Sequence, residues 1–115
     1  MKKLRKTEAA AFLVSHDHYA ILTHRRPDGD TLGCGAALCR GLRKLGKTAH
    51  ILENPEISDR FRWLHMGLTK ETAEAGDTVV SVDVASPSML PACFQSLQGS
   101  IALRIDHHAS ATSFT

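Results

Sequence analysis

The sequence predicts an α/β fold, a mostly parallel sheet with flanking helices, and two observations carry that prediction. Short apolar runs at residues 19–23, 47–53, 78–84 and 101–105 have strand length, and segments of helical character lie between them. The last two runs are apolar or β-branched on both sides of their polar positions, as in strands covered on both faces.

The elements follow in order. Residues 7–14 are Ala-rich and made of good helix formers, with Thr7 close to the N-cap and His16, Asp17 and His18 as the stop. The run at 19–23 leads straight into His24 and the turn signal Pro27-Asp28-Gly29. Leu32, Ala36, Cys39, Leu42 and Leu45 then recur at helical spacing, Arg40, Arg43 and Lys44 suit the negative end of the helix dipole, and Gly46 suits a C-cap.

After the second strand, Asn54 and Pro55 precede a short amphipathic helix expected at 57–64, and a polar connection is expected over 69–76. A third strand at 78–84, a crossover helix at 88–95 and a last strand at 101–105 complete one domain without repeats or low-complexity segments.

Composition bounds the class. With 43% hydrophobic and 23% charged residues the chain is an ordinary globular one, and a net charge of +2 is too small to imply a nucleic-acid partner by itself. Cys34, Cys39 and Cys93 form no CxxC pair and no even disulfide set, which favours a reducing cytoplasm and packing roles. No apolar stretch reaches the length of a membrane span, and Glu8 interrupts the only signal-like start. A soluble, cytoplasmic protein is expected.

In parallel sheets ligands bind beyond the carboxyl ends of the strands, and three clusters fall there. His24-Arg25-Arg26-Pro27-Asp28-Gly29-Asp30 places one imidazole and two carboxylates in a tight turn after the first strand. Asp83 is late in the third strand, and Asp106-His107-His108 follows the last. Carboxylate and imidazole without thiolate suit Mn2+ or a similar divalent ion better than a structural zinc site, and more than four candidate ligands suggest two ions. Taken singly each cluster is weak, since Pro-Asp-Gly-Asp is a common solvent turn. The combination at successive strand ends is strong.

These residues resemble a known family. His24, Pro27, Asp28, Gly29, Asp30 and Gly33 resemble the first motif of the DHH-family phosphoesterases, Asp83 the second, and Asp106-His107-His108 the motif that names the family. Gly29 between the two aspartates, with residues 42–46 and 61–64, looks most like the oligoribonuclease and pAp phosphatase branch, the nanoRNases.

By that resemblance His24 and Asp28 bind one metal, Asp30 and His107 bind the other, and Asp83 bridges them. Asp106 orients His107, and His108 contacts the scissile phosphate. The implied cofactor is a pair of Mn2+ ions, with Mg2+ or Co2+ as alternatives. The implied reaction is hydrolysis of short oligoribonucleotides or 3′-phosphoadenosine 5′-phosphate by two-metal activation of water. The implied partner is a short RNA or small nucleotide; no membrane is expected, and homodimerisation is left open. The resemblance also implies a partial domain over residues 1–115, with the family's fourth metal motif and C-terminal substrate domain absent.

Other residues carry blander readings. Arg25 and Arg26 suit either substrate phosphates or a solvated loop, and the basic N-terminal run suits a solvated face. Phe61 and Trp63 favour core or interface packing over base stacking, while His16, His18, His50 and His65 lack ligand spacing and fit surface or core roles. Rival functions are an inorganic pyrophosphatase, a cyclic-dinucleotide phosphodiesterase, or a noncatalytic metal- or nucleotide-binding module.

Overall fold

The computed structural model describes residues 5–84 and 86–106. Met1 to Leu4, Ala85 and the chain from His107 onward lie outside the described residues.

A five-stranded, all-parallel sheet forms the centre, in the order β3-β2-β1-β4-β5. Its strands are β1 (Tyr19–Leu22), β2 (Ala49–Leu52), β3 (Thr69–Lys70), β4 (Thr78–Val82) and β5 (Ile101–Ile105). The predicted α/β class is therefore correct. Central β1 pairs with β2 from Tyr19↔Ala49 to Ile21↔Ile51 and with β4 from Tyr19↔Thr78 to Leu22↔Ser81.

Successive residues of β1 enter opposite cores, because side chains alternate across a strand. Tyr19 and Ile21 join Ala36, Cys39, Leu42, Ile51, Val80, Val82 and Leu103 on one face, under helices α1 (Lys6–Ser15) and α2 (Gly29–Lys44). Ala20 and Leu22 join Leu52, Val79, Val84, Leu90, Phe94 and Ile101 on the other. Burial of each large aliphatic here is worth about 1.5–3 kcal/mol, so both layers contribute to stability.

Helix α2 is fixed at both ends. The Asp28 side chain caps it by accepting from the Thr31 N–H at 3.1 Å, a kind of cap worth about 1 kcal/mol. At the far end Leu45 is the C-cap and Gly46 follows at φ +82°, a left-handed position that suits glycine, with its N–H donating to the Arg43 carbonyl. At Gly35 the helix lies against the sheet, and a Cβ there would sit in ordinary contact with Thr23, Val82 and Ile51 at 3.5–3.8 Å.

Helix α1 buries no residue and is held from its C-terminal end. The Tyr19 hydroxyl donates to the Leu13 carbonyl at 2.7 Å, and the Lys47 ammonium donates to the Val14 carbonyl at 2.6 Å. Its N-cap is Arg5 rather than the expected Thr7, because Glu8 reaches back to the Arg5 N–H at 3.0 Å.

Several connections differ from expectation. The helix expected at 57–64 is a 3₁₀ helix, Asp59–His65, pinned by the buried His65, whose Nε2 lies 3.0 Å from the Leu32 carbonyl. Burial pushes that imidazole below its usual range, so it stays neutral and can donate. The polar connection at 69–76 contains β3, which pairs with β2 through Ile51↔Thr69 and Leu52↔Lys70. Consequently the strand expected as third is β4.

The expected crossover helix at 88–95 is replaced by 3₁₀ segments Pro87–Met89 and Ala92–Ser100. Pro91 stands at the N-cap of the second, and a proline there cannot donate the bond that would continue a helix through it. Of the cysteines only Cys39 packs; Cys34 and Cys93 are exposed. Trp63 is 66% exposed, contrary to a core role, while half-buried Phe61 lies under the Arg60 guanidinium at 5.1 Å.

Candidate metal centre at the carboxyl edge of the sheet

The carboxyl ends of β1 and β4 bring His24, Asp28 and Asp83 together. One potential ligand atom from each lies within 4.8 Å of the others, and this is a donor set of one nitrogen and two carboxylate oxygens. His24 is buried at 6% exposure and Asp83 at 3%, whereas Asp28 faces solvent. The group is therefore anchored inside and open on one side.

Local backbone geometry explains the convergence. β1 ends at Leu22, and His24 leaves the ladder into a loop where Arg26 takes φ +47°. That loop is tied down by the Arg25 N–H donating to the Met89 carbonyl and the Arg26 N–H donating to Glu56 Oε1 at 2.9 Å. The chain returns at Asp28, the N-cap of α2, with Oδ1 3.4 Å from His24 Nε2.

Asp83 follows β4 at φ +58°, a left-handed conformation that aspartate tolerates better than most residues. Its N–H donates to the Ile105 carbonyl at 2.7 Å, so the end of β5, and with it Asp106, is secured beside the site.

The imidazole is oriented by its other nitrogen. His24 Nδ1 lies 2.6 Å from the Arg25 carbonyl, an acceptor, so Nδ1 carries a hydrogen and Nε2, 3.4 Å from Asp28 Oδ1, is the ring nitrogen left for a ligand. A histidine that ligates a metal typically holds its free N–H in this way. The tautomer, the mixed N/O donors and the one-sided opening all fit a divalent ion.

Asp30 occupies the first turn of α2 and is exposed; among the described residues it does not join the three-residue group. It shares their electrostatic neighbourhood all the same. Partial desolvation, followed by the negative charges of Asp83, Asp30 and Asp28, pushes the Cys34 thiol up one turn along the helix. Asp106 is half-buried and follows β5 at the same edge. His107 and His108 lie outside the described residues.

Two residues of the site escaped the sequence reading. Buried Thr31 and Asn54 hold the peptide of His24: the Thr31 Oγ1 accepts its N–H at 3.4 Å, and Asn54 Nδ2 donates to its carbonyl at 2.9 Å. Their signals were slight, Thr31 being one turn into the metal motif and Asn54 directly following a strand. Beyond Asn54, at the ends of β2 and β3, lies a cavity of about 570 Å³ whose walls include Glu53, Arg62, Met66, Glu71 and Cys93.

Comparison with known proteins identifies the family. The family model described as DHH family, N-terminal domain, matches residues 18–115. The chain is 33% identical over 96 residues to the bifunctional oligoribonuclease and PAP phosphatase NrnA of Thermus thermophilus, an alignment covering 82% of this chain and 29% of that protein. The chain thus spans less than a third of the relative's length. It belongs to the DHH family and carries its N-terminal domain.

Proposed function

We propose that this DHH-family chain is the metal-holding part of a phosphoesterase acting on short oligoribonucleotides or 3′-phosphoadenosine 5′-phosphate. The observation that carries the reading is the convergence of His24, Asp28 and Asp83 within 4.8 Å at the carboxyl edge of a parallel sheet. The activities for which the Thermus relative is named support the choice of substrates.

In this reading His24, Asp28 and Asp83 would hold one ion, and Asp30 and His107 would contribute to holding a second. Mn2+ is the preferred ion, with Mg2+ or Co2+ as alternatives. Such ions supply positive charge that acidifies water and shields phosphoryl oxygens.

The protein's own residues do the arranging. The Arg25 carbonyl keeps His24 in the ligating tautomer. The capping bond from the Thr31 N–H holds the exposed Asp28 carboxylate at the helix start. By the family resemblance Asp106 would orient His107, and His108 would contact the scissile phosphate and help stabilise its developing negative charge. Arg25 and Arg26, exposed in the loop between His24 and Asp28, stand where an approaching anion would meet them. The nearby cavity has room for a nucleoside portion of the substrate.

The test is Mn2+-dependent release of mononucleotides from short RNA, or of phosphate from 3′-phosphoadenosine 5′-phosphate, by the intact protein. Asp83→Asn, which keeps the left-handed backbone and removes the charge, is expected to abolish it. Hydrolysis that proceeds without metal, or that survives Asp83→Asn, overturns the reading.

A further inference from the structure

We infer that Thr31 is a positioning residue that fixes the relative places of His24, Asp28 and Asp83; the inference rests on the metal reading proposed above. Thr31 is completely buried. Its hydroxyl donates to the Val82 carbonyl at 2.9 Å and accepts the His24 N–H at 3.4 Å, while its own N–H donates to Asp28 Oδ1 at 3.1 Å. One residue is therefore bonded to each of the three segments that deliver a candidate ligand.

The chemistry of the side chain explains why a hydroxyl is needed. It is both donor and acceptor, so one atom can satisfy a carbonyl at the end of β4 and an N–H at the end of β1. Valine has the same shape and can do neither. The Val82 carbonyl belongs to the peptide that enters Asp83, where the chain turns to φ +58°, so the bond acts at the last point before the ligand where β4 is still regular.

From the opposite side, Asn54 Nδ2 donates to the His24 carbonyl and to Thr23 Oγ1, both at 2.9 Å. The His24 peptide is thus gripped at its N–H by Thr31 and at its carbonyl by Asn54. The backbone that carries the imidazole is therefore held on both sides.

A merely structural hydroxyl, present only to satisfy buried backbone, would change stability and leave ion affinity alone. The two roles separate by calorimetric titration of the intact protein with Mn2+, comparing Thr31→Val, Thr31→Ser and a control, Thr78→Val. The control removes a hydroxyl bond of the same kind, Thr78 Oγ1 to the Asp17 carbonyl at 2.9 Å, at the opposite edge of the sheet.

Thr31→Val is expected to weaken Mn2+ binding about 10–100-fold, the usual effect of losing a group that orients a ligand. Thr31→Ser is expected to stay within about threefold of the wild type, a small fraction of that loss. Thr78→Val is expected to bind as the wild type while unfolding at lower denaturant. Should Thr31→Val fail to fold, Thr31→Ala takes its place against Thr31→Ser.

Unchanged affinity in the hydroxyl-free variant, or equal weakening in Thr31→Ser, overturns the inference while leaving the metal reading intact. No Mn2+ binding by the wild type overturns both. Wild-type binding, lost in Thr31→Val, without hydrolysis of any phosphate ester supports the inference and overturns only the proposed reaction.

Discussion

The two edges of the sheet use similar groups to opposite ends. At the amino edge, Asp17 Oδ1 accepts the N–H groups of His18 and Thr48, both at 2.7 Å, and the Asp17 carbonyl accepts from Thr78 Oγ1 at 2.9 Å. His18 there is left-handed at φ +55°. At the carboxyl edge, Asp83 is left-handed in the same way and Asp28 also accepts a backbone N–H.

The difference lies in burial and convergence. The amino-edge groups are exposed, and the Asp17 carboxylate is occupied with strand-end amides. The carboxyl-edge groups surround a buried imidazole whose tautomer is fixed. An aspartate beside a left-handed turn is thus a brace at one end of the sheet and a candidate ligand at the other, and only the neighbours tell them apart.

The largest expected effect tests that contrast directly. Asp83→Ala should weaken Mn2+ binding by more than about 100-fold, beyond the range typical of losing a supporting group. Asp17→Ala should leave binding unchanged. Titration calorimetry on both variants reads the difference; equal losses would erase the distinction between the edges.

A smaller effect concerns stability. Mn2+ at about 100 times its dissociation constant should add about 2.7 kcal/mol to the folded state, and chelation should reverse the corresponding rise in thermal midpoint. In Asp83→Asn the midpoint should be insensitive to both.

The smallest effect belongs to the amino edge alone. The His18 N–H, then the Thr48 N–H, hold the Asp17 carboxyl below its usual range. A carboxylate whose pKa falls on folding stabilises above its unfolded value, near 3.9, and that contribution is lost as the pH drops through the lowered value. Asp17→Ala should therefore lower the denaturation midpoint slightly at pH 6 and reduce its decline below about pH 4. An unaltered acid profile would show that Asp17 braces nothing.

What was legible in the sequence was whatever announces itself through side-chain type at fixed spacing. Short apolar runs marked four of the five strands, because their side chains enter cores on both faces. The three residues that converge, His24, Asp28 and Asp83, stood out as imidazole and carboxylate in the segments that follow strands. β3 was not, since its two polar residues, Thr69 and Lys70, join the sheet through backbone pairing that no periodicity reveals.

Thr31 and Asn54 were hidden for a related reason. Their importance lies in which peptides they reach, and the Thr31–Val82 bond joins positions 51 apart in the chain. The 3₁₀ segments show the limit of propensity: Asp59–His65 is held by one buried histidine rather than by a helical face.

The strand order β3-β2-β1-β4-β5 has a consequence for how long the protein survives. Because β1 lies between β2 and β4, His24 and Asp28 come from one part of the chain and Asp83 from a much later one. An ion shared by them would act as a reversible cross-link, closing a long loop whose closure is entropically costly without it. Metal starvation would then favour opening of the sheet along the β1–β4 seam and expose the chain to proteases. Metal supply would govern turnover of the protein as well as its chemistry.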